Sequence, residues 1–259
     1  MEQSGSSRFF AILDVFLKST GPLTLSEVSE ATGLPMPTAY RYLRDLAAWG
    51  GLQKSSDGAY RTGPKLWMLG STSVWERTIR REAHPLISAL SQGLHQAVAL
   101  TFLHKGSLIC IDRVWGTDPS IYIVNPGDDM PLPPTSAGKL LLSRLSDNDL
   151  EEALRVIQQG EQVPLLVSAG SSPARYETNT LEAKVHEVRD RGYALTIGEL
   201  RPGQTALSVV VNVPRLEAEM ALSVLTPLGL PAALEMLPHL KDAAIVLEKR
   251  LAKSPPLPK

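Results

Sequence analysis

Between Leu23 and Leu46 the chain holds two short amphipathic segments joined only by Gly33-Leu-Pro-Met36, and this spacing constrains the fold more than any other feature. Thr24-Leu-Ser-Glu27 is a capping box: the threonine hydroxyl accepts from the amide of residue 27, and Glu27 reaches back to the amide of Thr24. Leu25, Val28 and Ala31 supply the apolar face, and Gly33 suits the left-handed turn that ends a helix. The next helix is expected to start near Pro37-Thr38, because a first-turn proline lacks only an amide that has no helical partner. Ala39, Tyr42, Leu43 and Leu46 form its buried face, and Gly50-Gly51 ends it. Upstream, Phe9, Ile12, Leu13 and Phe16 mark one face of a first helix over 7–18, stopped by Gly21-Pro22. Downstream, Leu52–Ser55 and Ala59–Thr62 flank Asp57-Gly58, a hairpin signal. Three short helices followed by a hairpin is the order of a winged helix-turn-helix, here over 7–63.

Residues 64–80 read as one more helix, with Trp67, Val74 and Trp75 along one side. A helix between domains has little core of its own, so these three residues are expected to meet either the second domain or a second copy of the chain in a homodimer. From 81 onward the pattern mixes helix and strand. A helix is expected over 81–94, then strands over 97–103 and 107–114 joined by His104-Lys-Gly106, and another strand over 120–124. A loop follows over 125–134, then helices over 136–145, 147–157 and 178–191. Strands over 193–199, 205–213 and 219–226 precede a C-terminal helix over 231–251. The predicted class is α+β, with a mostly antiparallel sheet flanked by helices over 81–252. The tail at 253–259, rich in proline, is expected to be disordered.

Composition narrows the function classes. Hydrophobic residues make up 43% of the 259 and charged residues 20%, and the net charge is −1, as in an ordinary globular protein. Nothing resembles a transmembrane run or a secretory leader, so the expected address is the cytoplasm. A net charge near zero does not exclude nucleic acid, because local charge matters more than the sum. Within 35–65, Arg41, Arg44, Lys54, Arg61 and Lys65 face only Asp45 and Asp57. Cys110 stands alone, in the apolar strand Leu108-Ile-Cys-Ile111, and reads as a buried inert thiol. The five histidines lack metal-ligand spacing, so neither metal nor cofactor is expected. There is no nucleophile elbow and no phosphate loop. Ser136 and Lys139 match a serine–lysine pair in spacing alone, and read as a helix cap and a surface lysine. A hydrolase using this pair is thus the weak third reading.

The third helix carries the clearest chemistry. The second helix of a helix-turn-helix enters the major groove with its N-terminal residues forward. Its solvent face offers Pro37, Thr38, Tyr40, Arg41, Arg44 and Asp45. Arginine pairs with guanine or phosphate, and hydroxyls suit phosphate and base edges. Lys54 and Arg61 on the hairpin are placed to grip backbone beside the groove.

The stretch Leu23–Leu46, followed by Asp57-Gly-Ala-Tyr-Arg-Thr-Gly-Pro-Lys-Leu66, closely resembles the IclR family of bacterial transcriptional regulators. Thr135-Ser-Ala-Gly-Lys-Leu-Leu-Leu142, Arg189-Asp-Arg-Gly-Tyr-Ala194, Glu199-Leu-Arg-Pro-Gly203 and Ala221-Leu-Ser-Val224 resemble further family blocks in the same order. The resemblance covers about residues 7–250. It implies a winged-helix DNA-binding domain, a linker helix used in dimerisation and a GAF-like domain that binds a small effector. It also implies dimers or pairs of dimers on palindromic double-stranded DNA, acting as repressors or activators.

The departures from the family pattern bear on the effector. Where members that bind small acids carry an acidic residue, this chain has Thr196. Ala206 replaces a frequent cysteine, and Leu225 replaces the second serine of a Ser-x-Ser pair that begins at Ser223. Pro133-Pro134 replaces a histidine-alanine. Ser136, Ala137 and Gly138 remain as a helix start with unpaired amides, and Tyr122 aligns with a pocket wall. Fewer polar handles favour an aromatic or weakly polar metabolite over a small polar acid. The alternative from another class is a ligand-binding module that uses its winged helix for protein–protein contact.

Overall fold

A computed structural model describes residues 4–19, 21–104, 106–121, 124–130, 132–158, 178–214 and 218–254. It divides into two compact units, 1–73 and 74–259.

In the first unit, α1 (Gly5–Leu17), α2 (Leu25–Thr32) and α3 (Met36–Trp49) precede the antiparallel pair β1 (Leu52–Lys54) and β2 (Tyr60–Thr62). Ile12, Phe16, Val28, Leu34, Ala39, Leu43, Leu46 and Leu52 close one core, and Tyr60 lies beneath them. Ala31, expected on the buried face of α2, is exposed; Val28 alone of that helix is fully buried. The last element, α4 (Pro64–Ser71), has no buried residue, and Trp67, Met68 and Leu69 are 75%, 55% and 62% exposed.

The single helix expected over 64–80 is in fact two. Ser71 Oγ donates to the Met68 carbonyl at 2.8 Å and Thr72 Oγ1 to that of Leu69 at 2.7 Å. These hydroxyls take carbonyls that a continuing helix would need. The chain restarts as α5 (Val74–Leu94), which runs through the expected break at 80. Residues 74–80 therefore belong to the first helix of the second unit.

The second unit is built on a six-stranded antiparallel sheet. Its strands are β3 (Ala97–His104), β4 (Ser107–Val114), β5 (Asp129–Met130), β6 (Ala194–Ile197), β7 (Thr205–Val213) and β8 (Ala218–Thr226), in the spatial order β5-β4-β3-β8-β7-β6. Alternation sends Leu207, Val209, Val211 and Val213 of β7 to one face. There they pack with Val98, Leu100, Leu222 and Val224 against α5 and α10 (Leu237–Lys253). The other face meets α6 (Ser136–Leu142), with α7 (Asp147–Gln158) and α8 (Thr178–Arg191) around it. The expected α+β sandwich is thus present.

Three expectations about elements need correction. Among the described residues of 120–124 there is no strand: Asp118 Oδ1 accepts from the Ser120 amide at 2.8 Å in a local turn. The edge strand is instead β5, inside the expected loop, paired with Leu108 and Ile109. The C-terminal helix is broken into α9 (Leu230–Glu235) and α10, because Pro238 lacks the amide that would continue it. Lys253 still ends α10, whereas 255–259 lie outside the described residues.

Candidate functional site

In the first unit the capping box forms as the residue types require. Thr24 Oγ1 accepts from the Glu27 amide at 3.3 Å, and Glu27 Oε2 accepts from the Thr24 amide at 2.7 Å. Gly33 adopts φ 67°, which only glycine takes without strain. Ser29 Oγ then donates to the Leu34 carbonyl at 2.7 Å, fixing the turn into α3. With Ala39, Leu43 and Leu46 buried, α3 turns Pro37, Tyr40, Arg41 and Arg44 outward, and Thr38 is half-buried.

The two arginines of α3 differ in environment. Arg44 Nη2 lies 2.9 Å from Asp45 Oδ1, while the Arg41 guanidinium rests 5.2 Å from the Tyr42 ring. On the hairpin, Gly58 takes φ 88° and Asp57 Oδ1 accepts from the Ala59 amide at 3.1 Å. Lys54 and Arg61 stand exposed on the two strands, with Lys54 Nζ 5.4 Å from the Tyr60 ring. Helix and hairpin together offer four exposed cations beside one protruding tyrosine.

Trp67 stays exposed on α4, and Val74 opens α5. Trp75, grouped with them as a contact either to the second domain or to a second copy, is partly buried on the core of its own unit, its ring 4.7 Å from Phe102.

In the second unit, two rungs of the sheet form the floor of a cavity. One rung runs Thr196–Ala206–Leu225–Ala97 across β6, β7, β8 and β3; the next runs Ser208–Ser223–Ala99–Arg113 across β7, β8, β3 and β4. Side chains opposite one another in a sheet share a face. The cavity leaves about 40 Å³ open to the centre of a water molecule. Ser136, Ala137, Thr196, Ala206, Ser223 and Leu225 all line it, as expected, together with Ala99, Thr101, Val124, Met130, Leu200 and Gln204. Tyr122 lies outside the described residues.

Gly138 does not line the cavity. A Cβ there would fall 2.0 Å from the Leu132 carbonyl oxygen, so its work is close packing. Thr135, not Ser136, caps α6, its Oγ1 accepting from the Gly138 amide at 3.0 Å.

Ser208 was not anticipated. Its Oγ sits 2.7 Å from Ser136 Oγ and 2.7 Å from Ser223 Oγ. Three hydroxyls carry three hydrogens and spend two on each other. One remains: on Ser136 or Ser223, which both face the cavity, when Ser208 donates to one of them, or on Ser208 when it accepts from both. Period two could have found Ser208, since it follows Ala206 on the same face of β7.

Lys139 is not the surface lysine expected. It is 2% exposed, and its Nζ lies 2.5 Å from Glu199 Oε2. Burial holds its ammonium below the usual lysine range, against the opposing pull of Glu199. Ser136 hydrogen-bonds Ser208 and Lys139 pairs with Glu199, so the two share no bond. Cys110 is buried, and burial, reinforced by Asp112 and Asp128, pushes its thiol up to about 12. Among the described residues no cluster of histidine, cysteine and carboxylates could hold a metal. No described helix is long and apolar enough to cross a membrane.

Comparison with known proteins identifies both units. The model of the IclR helix-turn-helix domain matches residues 7–56, and that of the bacterial transcriptional regulator IclR C-terminal domain matches 71–230. The HTH-type transcriptional regulator XynR of Escherichia coli (strain K12) is 27% identical over 222 residues, 85% of each chain. The Pca regulon regulatory protein of Pseudomonas putida is 25% identical over 225 residues, covering 86% of this chain and 74% of that one. An IclR homolog from Microbacterium hydrocarbonoxydans, solved in complex with 4-hydroxybenzoate, shares the fold. Its TM-score is 0.77 at 21% identity, over 97% of this chain and 100% of that one. With more than half of its length matched by the C-terminal model, this chain belongs to the IclR family of DNA-binding bacterial transcriptional regulators.

Proposed function

We propose that this regulator binds a palindromic operator as a homodimer and that a small, weakly polar molecule in the second unit's cavity sets its affinity for that operator. One observation carries the reading. Six residues scattered between 136 and 225, singled out for an effector, wall a single cavity. The lining is mostly apolar, with the hydroxyls of Thr101, Thr135, Ser136, Thr196 and Ser223, the Gln204 carboxamide and no charged side chain among the described residues. Such a cavity suits an aromatic or weakly polar metabolite with one acidic or carbonyl group near Ser136. Small, highly polar acids would leave most of their hydrogen-bonding capacity unmet there. The 4-hydroxybenzoate complex of the Microbacterium homolog supports an aromatic ligand class.

In this reading residues 7–63 contact DNA. Arg41 and Arg44, with Pro37, Thr38 and Tyr40, enter the groove, and Lys54 and Arg61 hold the backbone. One winged helix covers a single half-site. Two copies joined through the exposed Trp67 and through Val74 would read half-sites about 10 base pairs apart or a multiple of that. The effector acts only through unequal affinity for the DNA-bound and free states. Fluorescence anisotropy on the intergenic DNA beside the gene, with and without an aromatic acid panel, tests the reading. Operator affinity is expected to change with ligand and to lose that response in Ala137→Trp, which fills the cavity. A full response in that variant would place the ligand elsewhere. Light scattering that shows a monomer with operator binding intact would refute the dimer.

A further inference from the structure

Residues 198–204 join β6 to β7 and supply one wall of the cavity through Leu200 and Gln204. This wall belongs to neither helix nor strand. The Gly198 amide donates to the Gln204 carbonyl at 2.8 Å across its base, and the Gln204 amide to the Arg201 carbonyl at 3.2 Å. Gly198 and Gly203 take φ 67° and 76°, so glycine permits the reversal at each end. These backbone bonds fold the loop on itself. Glu199, the neighbour of Leu200, ties it to the helices. Its Oε2 lies 2.5 Å from Lys139 Nζ on α6 and its Oε1 lies 3.5 Å from Lys184 Nζ on α8. Lys139 follows the cavity residue Ser136 by one helical turn. The carboxylate therefore fastens a wall made of loop to a wall made of helix.

The fastening is an unusual one, because the Lys139 side chain is 2% exposed. Desolvation of a buried ammonium offsets most of what its partner returns, so such a pair contributes little net stability; what it fixes is one geometry. The geometry here is that of a closed wall. The cavity leaves about 40 Å³ open to the centre of a water molecule, whereas an apolar cavity that holds benzene measures about 150 Å³. An aromatic ligand thus needs a wall to give way. The floor is held by strand register and α6 is buried along its whole length, so the loop is the wall best able to move. We propose that residues 198–204 are a movable wall of the cavity and that Lys139 and Glu199 are its latch, positioning residues that set how fast a ligand enters and leaves. Opening parts the buried ammonium from Glu199, which is the costly step. Lys184, nearer the surface with its side chain 40% exposed, can follow the carboxylate outward. This rests on the reading of the cavity as an effector site and deepens it.

Thiol labelling of the full chain tests the latch without any ligand. Cys110 is the one cysteine of the chain and is buried, which makes it an internal control. Ala206→Cys places a second thiol on the cavity floor, and dithiobis-nitrobenzoate, an aromatic disulfide, is the probe. The introduced thiol is expected to react slowly. Adding Lys139→Met and Glu199→Gln removes both charges and strands neither. That should speed its reaction at least ~10-fold, a small change in the opening equilibrium beside the cost of uncovering a buried charge. Cys110 should stay as slow as before. Hydrogen exchange should quicken at the Gly198 and Gln204 amides and stay unchanged in β3 and β8. If the double replacement does not fold, Glu199→Asp, one methylene short of Lys139, takes its place with the same expectation. Equal labelling with and without the pair would overturn the latch and leave the effector reading standing. Equal acceleration at Cys110 would overturn it too, since the whole unit would then be loosening. A different result separates the two readings: faster labelling confined to the introduced thiol, with benzoate, 4-hydroxybenzoate and phenylacetate neither slowing it nor shifting operator affinity of the unaltered protein. The movable wall would then stand and the aromatic-acid reading would fall.

Discussion

Helix α3 and the cavity floor both present polar groups to a partner, but they are assembled over different distances along the chain. Around α3 the decisive contacts are local: Thr24 with Glu27, three residues apart, and Ser29 with Leu34, five apart. On the floor, Ser136 meets Ser208 across 72 residues, and Ala99 lies beside Ser223. The first arrangement is set by propensity and capping. The second is set by strand register, where a slip of one residue would turn every floor side chain to the opposite face. The recognition surface should therefore tolerate change residue by residue, while the cavity should fail as a unit.

Gly138→Ala is the strongest way to break this contrast. The added methyl would sit 2.0 Å from the Leu132 carbonyl oxygen, a backbone atom that cannot swing aside. The expected cost is about 3 kcal/mol, the upper end for overpacking. Hydrogen exchange should show it as faster exchange throughout β3, β7 and β8, with the amides of α1–α3 unaffected. Uniform loosening of both units would mean that they do not behave separately, and unchanged exchange would mean that α6 yields more easily than its packing implies.

The same contrast explains what was legible beforehand. The capping box, Gly33, the Asp57-Gly58 turn and the outward face of α3 carry local signals, and each stands where expected. Of the cavity, Ser136, Ala137, Thr196, Ala206, Ser223 and Leu225 were reached through resemblance to family blocks, not through periodicity. Ser208 was passed over because it sits inside Leu207-Ser-Val-Val-Val211, where a buried apolar strand was the natural reading. Lys139 looked like a solvated residue because its partner, Glu199, is 60 positions away. The tryptophans Trp67 and Trp75 were read together although Gly70-Ser-Thr-Ser73, whose hydroxyls compete for helix carbonyls, signals the break at Thr72-Ser73. That break leaves one exposed and gives the other to the sensor core. The division of the C-terminal helix was legible in Pro238 and was overlooked.

A second, smaller effect sharpens the recognition side. Arg41 and Arg44 share the exposed face of α3, but Arg44 is held by Asp45 and must leave that carboxylate to reach DNA. Arg41→Ala is expected to cost about 1–3 kcal/mol at the operator and relax specificity at one base position. Arg44→Ala should cost less, because part of its charge is already neutralised. Lys54→Ala should weaken all sequences alike and lower the salt slope by about one. Anisotropy titrations over a salt series separate these outcomes. Equal losses for the two arginines would show that the Asp45 pair does not persist when DNA is absent.

The smallest effect concerns the local device that places α3 at all. Thr24→Ala removes the side-chain cap of α2, and typical loss of such a cap is about 1 kcal/mol. Its partner gives the effect a pH signature. The Thr24 amide and hydroxyl hold the Glu27 carboxyl below the usual glutamate range. A carboxyl with a depressed folded pKa stabilises the native state above its unfolded pKa, and that contribution is lost as pH falls through the folded value. The stability of the first unit, measured by chemical denaturation, should therefore fall on acidification below the ordinary glutamate range. Glu27→Gln should flatten that part of the curve while lowering stability at neutral pH. Because both partners sit within one turn, the loss should appear in the first unit and leave ligand binding by the second unchanged. A shift in ligand affinity on replacing Thr24 would contradict the separation of local capping from register-built cavity.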